Sequence, residues 1–203
     1  MDIDPMEMAE PEEDSAKDKA RSRLNAMVAI TVALLATFLG VCKVKDDNIV
    51  QAMQQAQAKS ISAWSTFHAK STELKVLTGS IDQLEILSTG QNPAVTARAD
   101  AHIKEMRGKV DEEQKEKQNW QDEGKKEDGL YDDLNYKDDQ FDLSDTLSAI
   151  AISMLAVTAL TQKRWLYWIA LVPTLLSVLM GAAGLFNLKI HPDAITNLLS
   201  FFL

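Results

Sequence analysis

Three stretches without a charged side chain constrain this fold more than any other feature. They run from Leu24 to Cys42, from Thr146 to Gln162 and from Trp165 to Leu188. A helix needs roughly 17–25 mostly apolar residues to cross the hydrocarbon core of a bilayer. Only a helix, short of a closed barrel, satisfies its whole backbone internally there. The expected fold is an all-α membrane protein with three transmembrane helices. A quarter of the 203 residues are charged, and they crowd between and around these runs.

A cleaved signal is the competing reading of the first run, because Lys17, Lys19, Arg21 and Arg23 precede it. The run is longer than the apolar part of a usual signal, and a lysine-bearing helical pattern follows with no cleavage context. A retained anchor over 15–43 is therefore expected. Residues 1–14 are acidic, contain Pro5 and Pro11, and have no apolar period. They read as a disordered tail, with Ser15 as the N-cap of a helix starting near Ala16.

The segment 44–142 reads as two helical arms. Val50, Met53, Ala56, Ile61, Trp64, Phe67, Leu74, Leu77, Ile81, Leu84 and Leu87 recur mostly three or four apart, an amphipathic pattern with a narrow apolar seam. Residues 88–93, STGQNP, carry the strongest break: a glycine past a helix end, then a proline opening the next helix. Val95, Ala99, Ile103, Met106, Val110, Trp120, Tyr131, Leu134 and Phe141 extend the spacing on the second arm. Glu113 and Lys117 interrupt it, and Gly124 and Gly129 predict fraying or a kink. Each arm would reach about 70 Å at about 1.5 Å per residue. An antiparallel, coiled-coil-like hairpin with its tip at Gly90–Gln91 places Trp64 opposite Lys117 and Trp120 opposite Ile61, the two tryptophans within a turn of each other.

The second span is expected over 143–162 and the third over 165–188, joined by a turn at Lys163–Arg164. Trp165, Tyr167 and Trp168 form an interfacial aromatic belt. Residues 192–203 suit a short interfacial helix. Six basic residues (Lys17, Lys19, Arg21, Arg23, Lys163, Arg164) fall on one side of the spans and four (Lys43, Lys45, Lys137, Lys189) on the other. The bias puts the N-terminus and the 163–164 turn in the cytoplasm, with the hairpin and C-terminus outside.

The run from Leu24 to Ser71, LNAMVAITVALLATFLGVCKVKDDNIVQAMQQAQAKSISAWSTFHAKS, resembles an uncharacterised bacterial family, domain-of-unknown-function family 4337. So does Asp132–Leu171, DDLNYKDDQFDLSDTLSAIAISMLAVTALTQKRWLYWIAL. Lys43–Ser60 is the specific part. The resemblance implies a bacterial inner-membrane protein of this length and layout. It carries no reaction, ligand or catalytic residue.

Chemical sites are sparse. His68, His102 and His191 are too scattered for a metal centre. Asp132, Asp133, Asp138, Asp139, Asp142 and Asp145 lack the glycine and spacing of a calcium loop and read as a solvated helix face. There is no phosphate-binding loop and no nucleophile pairing. The expectation is no enzyme, no cofactor and no metal. The net charge of −9 argues against nucleic acid and against an anionic lipid surface as partners of the soluble part. Cys42 is the only cysteine, so no intrachain disulfide forms. Ala29 and Ala33, Ala36 and Gly40, and Ala149 and Ser153 have the spacing of close helix packing, chiefly within the chain. Expected partners are the lipid bilayer and further copies of the chain, with Trp64, Leu74, Leu77, Ile81, Leu84, Leu87 and Trp120 as interaction residues. The alternative is an accessory subunit of a membrane transporter or channel, with that second membrane protein as partner.

Overall fold

The computed structural model describes residues 10–188 and Ile190, with side chains from Lys17 onward. Three helices account for nearly all of it: α1 (Glu10–Ser88), α2 (Pro93–Thr161) and α3 (Arg164–Phe186). All three are long and apolar enough to cross a membrane. Most of the acidic tail, residues 1–9, and the C-terminal helix expected over 192–203 lie outside the described residues.

Two sequence expectations change at the helix level. α1 starts at Glu10, so Ser15 lies within the helix and is not its cap. Pro11 is compatible with this because first-turn N–H groups have no helical acceptor to lose. α2 runs unbroken through Gly124 and Gly129, where fraying or a kink was expected. Each glycine costs up to about 1 kcal/mol of helix propensity, which the flanking good helix formers sustain.

The breaks are built from left-handed residues. Gly90 has φ 78°, and its lack of a Cβ makes that conformation inexpensive. Asn92 then caps α2, its Oδ1 accepting from the Ala94 N–H at 2.8 Å. Gln162 (φ 58°) and Asn187 (φ 55°) end α2 and α3. The Gln162 N–H returns to the Thr158 carbonyl at 2.9 Å, the single 5→1 bond of a left-handed helix end.

The chain divides into two compact units, residues 1–50 with 135–203, and residues 51–134. The first holds the apolar stretches of all three helices. At one end Leu24, Val28, Leu155, Tyr167 and Ala170 form a buried cluster, and the Tyr167 hydroxyl hydrogen-bonds Thr31 at 3.0 Å. At the other end rings enter gaps left by glycines. A Cβ on Gly181 would lie 2.7 Å from Phe38, and one on Gly184 would lie 2.7 Å from Phe141. Between α2 and α3, Ser144 Oγ donates to the Ser177 carbonyl at 2.9 Å and Ser177 Oγ donates to the Ser144 carbonyl at 2.8 Å. Ser148 closes the set through the Ser177 hydroxyl. All three serines are fully buried, and these bonds provide for hydroxyls that would otherwise be costly there.

Among the described residues, the small-residue pairs are not packed inside the chain. Ala29, Ala33, Ala36, Gly40, Ala149 and Ser153 are all exposed, contrary to the expected intrachain packing. The buried face of α1 is the opposite one, at Leu24, Val28 and Leu35, with Phe38 half-buried against Gly181.

Gly181→Ala and Gly184→Ala should each cost about 1–3 kcal/mol by overpacking. Gly40→Ala, whose Cβ would meet nothing within 4 Å, should be neutral or stabilising. Equilibrium unfolding of the chain separates the two classes.

Candidate functional site

Within residues 51–134 the buried positions of α1 are Met53, Ala56, Ser60, Ala63, Leu74 and Ile81, with Phe67, Lys70, Leu77 and Leu84 half-buried between them. Their steps alternate between three and four, the 3.5-residue repeat of a coiled-coil seam. On α2, Ala99, Ile103, Met106, Val110, Glu113 and Lys117 follow the same alternation. Small residues hold the middle of the α1 seam, where the larger Ile61 had suggested itself; Ile61 is 63% exposed. A 3.5-residue repeat passes through Ser60 and Ala63 whatever their size, and apolar bulk alone gave no sign of it.

Contacts between the two helices step in opposite directions along the chain. Glu85 pairs with Arg107 at 2.7 Å. Lys70 lies 2.7 Å from Glu113 and 2.8 Å from Glu116, which holds its ammonium well above the ordinary lysine range. The Lys117 ammonium stands 5.2 Å from the centre of the Phe67 ring. Farther along, the Trp64 indole fills the gap at Gly124, where a Cβ would come within 2.9 Å of the ring. Its Nε1 donates to Asp128 Oδ2 at 3.0 Å, and Ser60 donates to the other oxygen of the same carboxylate. These two bonds hold the Asp128 carboxyl below its usual range.

This register differs from the one obtained by counting outward from the turn. Trp64 meets Gly124, seven residues beyond the expected Lys117. Trp64's ring partner is Phe67, edge-on at 5.5 Å, while Trp120 is 38% exposed. The first turns of α2 lie outside the seam: residues 93–98 are exposed apart from Thr96, and Ile103 is the first buried residue. Of the remaining expected interaction residues, Leu74 and Ile81 are buried, Leu77 and Leu84 are half-buried, and Leu87 is 70% exposed. Glu127, missed in the sequence, is 3% exposed, and its Oε2 has no hydrogen-bond partner.

A second polar site lies in the other unit. Asp46 is 5% exposed. Its Oδ2 accepts from Lys43 Nζ at 2.8 Å, while its Oδ1 has no hydrogen-bond donor. Asp138 on α2 lies within hydrogen-bonding reach of Asp46. Asp46 joins Cys42, Lys43, Phe141, Asp142 and Asp145 around a recess of about 20 Å³. Burial, then the Asp46 contact, pushes the Asp138 carboxyl up to about 6. Burial and the Asp46 charge also raise Asp142. Among the described residues Lys43, which also reaches Asp47 at 3.6 Å, is the cation that lowers Asp142, and Asp139 and Asp145 add like charge. From Met180 to Leu188, where α3 packs nearby, no side chain titrates. Sequence periodicity could have found Asp46, which falls on the buried stripe between Cys42 and Ile49. The acidic run on α2 read as uniformly solvated; Asp138 is its half-buried member. Among the described residues, no three His, Cys, Asp or Glu side chains are arranged to hold a metal ion.

The description "Domain of unknown function (DUF4337)" belongs to the family model that matches residues 24–187. No curated protein and no solved structure matches the chain.

Two predictions follow from these contacts. Gly124→Ala gains up to about 1 kcal/mol of helix propensity but forces the Trp64 ring aside at about 1–3 kcal/mol, so it should destabilise. Gly129→Ala meets nothing within 4 Å and should stabilise by about 0.5–1 kcal/mol; chemical denaturation of both variants is the check. The pH dependence has a definite sign. A carboxyl raised in the folded state binds its proton more tightly there, so its stabilising contribution is complete below the unfolded value of about 3.9 and lost as pH climbs through about 6. Asp138→Asn should therefore be more stable than wild type at pH 7.5, with the gap closing toward pH 4, as read from thermal midpoints.

Proposed function

We propose that this chain, which belongs to the DUF4337 family, is a self-assembling scaffold of the bacterial inner membrane. The apolar stretches of α1, α2 and α3 are its three spans, and residues 44–142 fold as an antiparallel coiled-coil-like hairpin outside the bilayer. The oppositely stepping contacts from Glu85–Arg107 to Trp64–Asp128 support the hairpin.

The observation carrying self-assembly is the open face of α1. Ala29, Ala33, Ala36 and Gly40 lie one or two turns apart on one side of the helix, and all are exposed. Only 17% of the most apolar window of α1 is buried, against 33% for α2 and 39% for α3. Small residues in register let a second helix approach closely in lipid, where van der Waals packing drives association. Leu74 and Ile81 are covered within the chain, so a second copy would meet Ile86, Leu87 and Val95 near the turn, which are 73%, 70% and 49% exposed. The hydroxyls Ser144, Ser148 and Ser177 bond one another, which favours a packed bundle over a serine-lined pore.

The basic residues near the spans lean toward a cytoplasmic N-terminus and 163–164 turn, with a periplasmic hairpin. The Gln162–Asn25 hydrogen bond of 3.0 Å sets the two basic segments side by side, so they act as one charge patch. A topology reporter inserted at Gly90 should read periplasmic.

Light scattering on the full chain in mild detergent is expected to give a dimer or larger assembly. Ala33→Leu with Gly40→Leu should reduce it to a monomer at unchanged helical content. A strictly monomeric wild type would end the scaffold proposal. A second membrane protein purifying in fixed ratio would favour the accessory-subunit alternative.

A further inference from the structure

At the end of the bundle where α1 enters it and α3 begins, Arg23, Leu24, Met27, Arg164, Tyr167 and Trp168 line a recess of about 210 Å³. The two guanidinium groups reach it from different helices. Among the described residues neither has an ion pair or hydrogen bond, and the nearby Asp18 is engaged by Arg21 at 3.9 Å. No acidic residue lies between Asp145 and Lys163 on the sequence entering this end. The first turn of α3 carries no acid, and Lys163 supplies no side-chain cap, so its N–H dipoles add positive potential. Among the described residues, cationic donors meet at one recess with no acidic side chain paired to them.

The walls limit what that anion can be. Tyr167 is 8% exposed, and its hydroxyl is held by Thr31, so it contributes a fixed ring. Trp168 stacks edge-on against it at 5.9 Å and is 66% exposed. Below the arginines the exposed apolar face continues through Met27, Ile30 and Leu34, at 37%, 60% and 67% exposure. The recess is smaller than the roughly 300 Å³ at which pockets for drug-sized ligands begin. A compact anionic head with apolar tails running along α1 fits both features.

We infer that this recess binds the phosphate of an anionic phospholipid headgroup between Arg23 and Arg164. Arginine pairs bind phosphate oxygens through two parallel N–H bonds, and basic pockets between membrane helices are the usual place for such heads. Trp168 sits at headgroup depth, and the acyl chains lie on Met27, Ile30 and Leu34. The inference rests on the membrane proposal above.

The test uses the full chain in an uncharged detergent, titrated with phosphatidylglycerol, phosphatidylcholine or inorganic phosphate. Binding is followed by native mass spectrometry and by thermal midpoint. Phosphatidylglycerol should bind and raise the midpoint, phosphatidylcholine should not, and inorganic phosphate should protect far less than the lipid. Arg23→Gln with Arg164→Gln should weaken phosphatidylglycerol binding about tenfold or more. Lys19→Gln with Arg21→Gln, which removes equal charge outside the recess, should change it little. Circular dichroism confirms that both double variants are helical. Equal weakening by the two pairs would overturn the site, as would equal protection by inorganic phosphate, which would mark a free-phosphate site instead. A chain that stays in solution without detergent would defeat the membrane proposal itself, an outcome distinct from lipid binding that ignores the arginines.

Discussion

Aromatic rings entering gaps left by glycines are the contacts on which both units depend. Phe38 occupies the place of a Gly181 side chain, Phe141 that of Gly184, and Trp64 that of Gly124. A ring over bare backbone brings two helix axes closer than side chain against side chain permits, and dispersion attraction rises steeply with such closeness. The Trp64 contact also sets a register, since that ring displaced by one turn of α2 would meet a Cβ. Helix pairs with few large buried residues need such anchors, because a thin apolar stripe discriminates poorly between neighbouring registers.

Polar groups complete what the rings begin. The paired serines of α2 and α3 exchange hydroxyl–carbonyl bonds. Ser60 and Trp64 grip both oxygens of Asp128. Gln140, fully buried, donates to the carbonyls of Leu188 and Ile190 at 2.9 Å each, which ties both carbonyls to α2. These bonds contribute modestly to net stability, but any misregister leaves buried donors and acceptors unpaired, and that is expensive. Asp46 and Glu127 are exceptions, each buried with a carboxylate oxygen that has no hydrogen-bond partner. Beside Asp46, the raised carboxyl of Asp138 makes the surroundings of Lys43 sensitive to protons.

Side chains that the chain does not use internally are equally informative. Two surfaces stand out among the described residues: the exposed small-residue face of α1 and the recess of Arg23 and Arg164. One is apolar and flat, suited to a second helix in lipid. The other is cationic and concave, suited to an anion. The scaffold proposal assigns the first to a second copy of the chain, and the lipid proposal assigns the second to a headgroup phosphate.

Much of this was legible in the amino-acid sequence. The three charge-free runs determine three long apolar helices, because only a helix closes its backbone hydrogen bonds over such lengths in an apolar medium. Gly90 and Pro93 determine the turn, since left-handed backbone and a missing N–H are local properties. Tertiary packing alone decided which face of each helix turns inward. Ala29 and Ala33 have the spacing of an interface yet lie outside it, whereas Ser60 and Ala63 look unremarkable yet lie within one. Gly124 reads as a weak point in a helix until Trp64 is seen filling the gap beside it. Asp46 reads as one more surface acid until burial and Asp138 meet it. Periodicity records how residues are arranged around one axis. Register, and the environment of each charge, depend on what a second helix brings to that face.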